Sequence, residues 1–280
     1  MIAEDGALRV AWRTPRGRAG LGFLGFLVLL SLLGPPLLPH PFRQFGLVDL
    51  QSAPPSAEHP FGTDQLSRDV LSRVVSGARV SLAVAAIAVA LSVSLGAAIG
   101  LVAGYLGGAV DAVLMRLVDG ALAVPRLFLL MLVLALPTRV PLLALIVLIG
   151  ATGWFGTSRL IRGEVLRLRE ETYVRAAEAL GASRRRIIFR HLLVNTAGPL
   201  LVSATLGVGD VILLEAGLSF LGLGVQPPTP SWGGMIFDAR PVLESAPWVG
   251  IFPGVLITLT VLATNLVGDA LRDALDPRGA

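Results

Sequence analysis

Four stretches of this chain, 20–38, 80–110, 140–158 and 245–268, run for 19 residues or more without one charged side chain. A hydrocarbon layer roughly 30 Å thick is crossed by about 20 residues of helix, and inside it every backbone N–H and C=O must be paired within the segment itself. Such stretches fold as membrane-spanning helices. Two more are apolar but interrupted: 113–136 holds Asp119, Pro125 and Arg126, and 196–217 holds Asp210 and Glu215. Counting both, the expectation is an all-α membrane protein with six transmembrane helices.

Residues that are rare or missing narrow the chemistry. Only 15% of the 280 residues are charged, against about 25% in an ordinary soluble domain, which excludes a soluble globular enzyme. The chain has no cysteine, so thiolate metal sites, disulfides and cysteine nucleophiles are excluded, and all 23 basic residues are arginine. Without lysine there is no Gly-Lys-Ser/Thr phosphate loop and no Schiff base. Energy from ATP would have to come from a partner, with ATP and Mg bound there and no cofactor held by this chain.

Arginine placement orients the spans, since basic residues are retained on the cytoplasmic side. With the N-terminus inside, 16 arginines fall on inner segments and 6 on outer ones (Arg43, Arg68, Arg73, Arg79, Arg139 and Arg240), with Arg126 inside a span. The opposite topology strands nine arginines of one loop outside. The expected organisation is a cytoplasmic tail over 1–19 and a first transmembrane helix over 20–38, retained because it lacks a clear cleavage site. A periplasmic segment with an interfacial helix follows over 39–79. A five-helix core fills 80–268 and includes a cytoplasmic loop over 159–195; a cytoplasmic C-terminal tail covers 269–280.

That loop carries apolar residues at helical intervals, so it reads as two short helices rather than a charged coil. Leu166, Tyr173, Ala177 and Leu180 gather on one stripe of the first. Gly181 suits a left-handed C-terminal cap, and Ser183 can cap a second helix bearing Ile187, Ile188 and Leu192. Arg184, Arg185 and Arg186 occupy the first turn of that helix, where cations oppose the helix dipole, so lipid phosphates or another protein's acids are expected to compensate them. Ala176 and Ala177 are small enough to admit another backbone.

The run Tyr173-Val174-Arg175-Ala176-Ala177-Glu178-Ala179-Leu180-Gly181-Ala182-Ser183, followed by Arg190-His191-Leu192-Leu193-Val194-Asn195, resembles the coupling loop of ABC importer permeases. Against the pattern Glu-Ala-Ala, three residues, Gly, nine residues, Ile-x-Leu-Pro, the positions of Ala176, Ala177, Gly181 and Leu193 match. Arg175 replaces the Glu, His191 the Ile and Val194 the Pro. The segments His59–Arg73, Glu215–Gly233 and Gly268–Arg278 are similar to the C-type subunit of dipeptide/oligopeptide permeases, so the likeness runs from about residue 20 to 278.

The resemblance implies the type I ABC importer permease fold and the role of a transmembrane permease subunit in a bacterial inner membrane, forming half of a path for dipeptides or oligopeptides. It implies a second homologous permease as heterodimer partner, two ATP-binding subunits, an extracytoplasmic solute-binding protein and lipid, and no nucleic acid. The implied ATPase-coupling residues are Arg175, Ala176, Ala177, Glu178, Gly181 and Ala182. Relatives with these signatures carry nickel, glutathione or other small solutes, and a proton-coupled secondary transporter is the rival without need of a docking loop.

Asp210 and Glu215 are the candidate path residues. Asp210 should face the bundle interior, because an ionised carboxylate costs roughly 2.5 to 3.5 kcal/mol near a helix centre. It either meets a peptide's amino terminus or bonds a neighbouring helix. Arg126 either pairs with Asp119 or snorkels, Pro125 kinks its helix, and Gly96, Gly100 and Gly104 mark a close helix contact. Gly207-Val208-Gly209-Asp210 matches the intramembrane aspartyl protease signature, but the Tyr-Asp pair such enzymes need is missing. The outer segment from Asp64 suits a flat interfacial helix that shields span ends or touches a binding protein. Trp232 and Trp248 suit an interfacial belt.

Overall fold

The computed structural model describes residues 11–46, 50–137 and 140–275. Arg9, Arg139 and Arg278, the beginning of the expected 1–19 tail and the end of the 269–280 tail lie outside the described residues. The described chain forms helices α1 (Pro15–Leu33), α2 (Val70–Leu106), α3 (Gly108–Leu122), α4 (Arg126–Leu134), α5 (Leu142–Ala151), α6 (Trp154–Arg169) and α7 (Thr172–Ala179). Next comes α8 (Arg184–Arg186), prolonged by a π-helical stretch Ile187–Leu192 and a turn Leu193–Asn195; then α9 (Ala197–Phe220), α10 (Trp232–Ala239) and α11 (Trp248–Leu275). Five helical runs are long and apolar enough to cross a membrane: α1, α2, α5 with α6, α9, and α11. The pair α3 and α4, bent by 77°, brings the number to six.

Several boundaries differ from expectation, each for a local reason. The first span begins earlier, at Pro15, where the Thr14 hydroxyl caps the Gly17 N–H, and it ends at Leu33. Pro35 and Pro36 cannot extend it. No separate interfacial helix starts at Asp64. Instead Asp64 Oδ1 accepts the N–H groups of Leu66 and Arg68 in a turn, and Asp69 caps α2 through the Ser72 N–H at 2.7 Å. From there α2 runs unbroken for 37 residues, about 55 Å at 1.5 Å per residue, so the part of the amphipathic stripe from Val70 on is the first part of the same helix that carries the second apolar stretch. The last helix likewise continues to Leu275, through half of the expected 269–280 tail.

The loop expected to begin at 159 begins at 170. Charge at 159–169 marks one face of α6 and not the end of the helix: Ile161, Val165 and Leu168, spaced four and three apart, are buried, while Arg162 is partly exposed and Arg167 exposed. α6 packs on α2 through the three glycines. A Cβ at Gly96 would stand 2.6 Å from Thr157, one at Gly100 2.7 Å from the Ser158 carbonyl oxygen, and one at Gly104 2.8 Å from Val165. Backbones this close require residues without side chains, and the neighbour is this chain's own helix.

The third span is broken at 123–125, as Pro125 predicts, since it brings no N–H to the ladder. Its charges are cross-linked in a way local spacing cannot show. Arg159 pairs with Asp119, and Arg162 holds Asp111 through Nε and Nη2 at 2.5 and 2.6 Å. Arg126 is therefore not the partner of Asp119. Its Nε donates to the Thr152 hydroxyl at 3.2 Å and its Nη2 to the Ile149 carbonyl.

The largest core cluster lies between α2, α5, α9 and α11 and includes Val84, Ala88, Leu145, Ile149 and Ile212. Large apolar side chains also cover the outside: Phe26, Leu29 and Leu32 on α1, Val113 and Leu117 on α3, and Ile251, Val255 and Leu262 on α11 are all exposed. A water-facing helix would place polar residues there; a lipid-facing one does not.

Candidate functional site

Residues 170–195 cover one end of the bundle, and residues 50–69 with 221–247 cover the other. At the first end, α7 is seated by one residue. Val174 is fully buried with Ile187 and Leu192 on a cluster built from Leu101, Ile161, Val165 and Leu168. The helix stops in a two-bond cap: the Ala182 N–H donates to the Ala177 carbonyl at 3.0 Å and the Gly181 N–H to the Glu178 carbonyl at 2.9 Å. Gly181 has φ +81°, the left-handed conformation that favours glycine in this motif. Ser183 then caps the next turn by accepting the Arg186 N–H at 3.4 Å.

What this turn presents is a small-residue knuckle. Arg175, Ala176, Glu178, Ala179, Leu180 and Gly181 are exposed, and Ala177 and Ala182 are half-buried. The stripe expected from spacing is corrected here: Leu166 belongs to α6, Tyr173 is largely outside, and Leu180 is 88% exposed, with Val174 as the buried anchor. Leu180 was missed as a surface residue because a leucine at helical spacing reads as core. Its place beside the capping glycine, at the tip of the turn, was the signal against that. Two of the polar residues have partners within the chain: Arg175 pairs with Glu170, and Glu178 accepts the Tyr105 hydroxyl at 3.1 Å, tying the knuckle to α2. Partial desolvation, reinforced by the negative charge of Glu171, raises the Tyr173 phenol above its ordinary value.

Arginines at this end divide into two sets. Arg159, Arg162, Arg167 and Arg175 are in ion pairs with acids of the chain. Arg184, Arg185, Arg186 and Arg190 are exposed and form no ion pair among the described residues. Arg184, Arg185 and Arg186 of the second set stand in the first turn after the Ser183 cap, where cations oppose the helix dipole, and no acid among the described residues pairs with them.

The opposite end is closed. Asp64, fully buried, receives Arg68 Nε at 2.7 Å and Arg73 Nη1 at 2.6 Å, and Arg73 Nη2 reaches Asp238 on α10 at 2.8 Å. His59 Nδ1 lies 2.9 Å from Asp69 Oδ2. The segment read as an interfacial helix is thus a charged clasp between the 50–69 loop, α2 and α10. Trp232 is fully buried rather than interfacial, and its indole N–H donates to the Val74 carbonyl at 3.0 Å.

The two acids of α9 part company. Glu215 is 1% exposed and accepts the Ser219 hydroxyl at 2.6 Å and the Ser231 hydroxyl at 2.9 Å. It joins α9 to the start of α10 and reaches no open surface of this chain; a buried carboxylate persists only when donors surround it, and two serines supply them. Asp210 is exposed on the isolated chain, not in its interior, and bonds no described residue. Among the described residues no three His, Asp or Glu side chains come together to hold a metal.

Comparison with known proteins finds the family described as "Binding-protein-dependent transport system inner membrane component" over residues 96–279. The chain is 42% identical over 273 residues to the dipeptide transport system permease protein DppC of Bacillus subtilis (strain 168), covering 96% of this chain and 85% of that protein. It is 38% identical to the oligopeptide transport system permease protein OppC of the same organism, over 92% of this chain and 84% of the relative. A putative peptide permease of Brucella suis biovar 1 is 45% identical over 92% of this chain and 86% of its own length.

Proposed function

This chain belongs to the family of binding-protein-dependent transport system inner membrane components, and we propose that it carries peptides across a bacterial inner membrane as one of two permeases gripped by cytoplasmic ATPases. In this reading the N- and C-termini and the 170–195 loop face the cytoplasm, and the charged clasp faces outward toward a solute-binding protein. A second, homologous permease completes the path, and ATP and Mg stay on two partner subunits.

The observation that carries the reading is the knuckle at Ala176–Ala182. A docking element needs a surface that another backbone can approach and a rigid seat that transmits its movement. Ala176, Ala177, Gly181 and Ala182 supply the first, with Leu180 as an apolar tip, Arg175 and Glu178 at the rim and Arg184–Arg186 opposite acidic partners. Val174 and the Tyr105–Glu178 bond supply the second. Closure of the ATPase pair would press this knuckle, and α6, held to α2 by the glycine stripe, would carry the displacement into the bundle. Packed interfaces of this sort switch between discrete arrangements.

The test is uncoupling. Gly181→Val forces a β-branched residue into a left-handed conformation, a strain on the order of 1–3 kcal/mol, on an exposed turn where no Cβ meets a neighbour. The reconstituted importer should then hydrolyse ATP with little peptide uptake. Uptake per ATP equal to that of the unaltered protein contradicts the docking role.

A further inference from the structure

Two opposite charges stand midway along the spanning helices without satisfying one another. Arg126 opens α4 just past one helix break, and its guanidinium reaches the other, at Thr152–Gly153, through the bonds to Thr152 and Ile149. Gly153 makes this approach possible: a Cβ there would stand 2.9 Å from Arg126 Nη2 and 2.1 Å from Ser92 Oγ. The guanidinium therefore lies at the depth of Ser92, well inside α2. Nη1 has no acceptor among the described residues.

Asp210 is placed by a separate contact. A Cβ at Gly207 would meet Val89 at 3.5 Å, and Asp210 lies three residues further along α9 toward the clasp end, level with about Ala86. The two charges are thus separated by about six residues of rise along the bundle, on the order of 9 Å. Asp210 is close enough to act electrostatically on Arg126, yet no hydrogen bond joins them. A lone charge at this depth faces a cavity or a partner rather than lipid. A short peptide has the matching form: a carboxylate and an ammonium group separated by up to about 7 Å for two extended residues.

Building on the transport reading above, we propose that Arg126 and Asp210 form one mid-membrane site for the two charged ends of a short peptide. Arg126 takes the carboxylate through its free N–H groups, in the planar geometry that suits carboxylates, and Asp210 takes the ammonium group. The two helix breaks then have a use: they aim a guanidinium held by backbone and hydroxyl oxygens at the path, pre-oriented before the ligand arrives.

The experiment is ATP-driven uptake by the importer, reconstituted from this chain and the subunits that co-purify with it, of dialanine, its C-terminal amide and its N-acetyl derivative. The same solute-binding protein delivers all three, so its preferences cancel when variants are compared with the unaltered chain. Arg126→Gln should reduce dialanine uptake roughly tenfold, the factor that 1.4 kcal/mol represents, while bringing the amide toward parity. Asp210→Asn should do the same for the acetylated peptide alone. Unchanged acid-to-amide and free-to-acetylated ratios overturn the proposal and leave the transport reading standing. Absence of ATP-driven dialanine uptake by the unaltered importer sinks the transport reading itself. Failure of both Arg126→Gln and Arg126→Lys to assemble assigns Arg126 to clamping the two breaks and overturns the site. A double variant Arg126→Gln with Asp210→Asn that transports as well as the unaltered chain reduces the charges to mutual neutralisation and overturns it too.

Discussion

The two ends of the bundle handle charge in opposite ways. At the clasp end, Asp64, Asp69, Arg73 and Glu215 are buried and each has a partner, and they lock loop segments to α2, α9 and α10. At the knuckle end the charges are exposed, four arginines have no acidic partner among the described residues, and small residues with one leucine occupy the tip. Buried ion pairs cost desolvation and repay it only with good hydrogen bonding; here both Arg73 Nη atoms are paired while its Nε is not, so the clasp holds geometry more than it adds stability. Exposed, unmatched charge does nothing for the fold of the chain that bears it. One end is built to stay as it is, the other to meet something.

The contrast is open to direct attack. The largest effect should come from the double variant Arg68→Ala with Arg73→Ala, which removes both guanidinium groups from the buried Asp64 and both from Asp238; leaving a buried charge without its partner costs about 3–5 kcal/mol, read as a large drop in thermal midpoint in detergent. A midpoint equal to that of the unaltered chain would mean the clasp is ornamental. Gly100→Val pushes a side chain into the Ser158 carbonyl and Ile161; overpacking of this kind costs typically 1–3 kcal/mol and should also loosen the seat of α7, measurable as faster proteolysis within 170–195. Arg175→Ala removes an exposed pair with Glu170 and should change stability by under about 1 kcal/mol. Replacing Arg185 should be nearly silent in the isolated chain, within about 0.5 kcal/mol, while weakening retention of the ATPase subunits on an affinity column; equal retention would remove the arginine set from the docking surface.

Hydropathy made most of the spans legible, because a lipid-facing helix has to be apolar along its whole length and the sequence records that directly. It starts the loop too early because charge along the chain also marks one face of a helix: Arg159, Arg162 and Glu164 are more exposed than Ile161 and Val165 on one continuous α6. The Gly181 turn was legible because a left-handed cap leaves a glycine in the sequence. Asp210, Glu215 and Arg126 were visible as costly residues, but their roles depend on partners far along the chain, Ser231 for Glu215 and Thr152 for Arg126, and no local period encodes such a pairing. The clasp was hidden for a further reason. Its residues do follow helical spacing from 66 to 75, and only the Asp64 turn and the Asp69 cap break the register.

The account rests on the knuckle being the surface that a nucleotide-hydrolysing partner holds, and the lack of native cysteine makes that measurable in a single step. With Ala177→Cys as the only thiol in this chain, and cysteines placed one at a time along the surface of the ATPase subunit, oxidation of native membranes should give a covalent product between the two proteins at a few neighbouring ATPase positions, with a yield that changes when ATP is added. A cysteine at 177 that reaches no ATPase position, and is instead blocked by a membrane-impermeant thiol reagent added to intact cells, would contradict it.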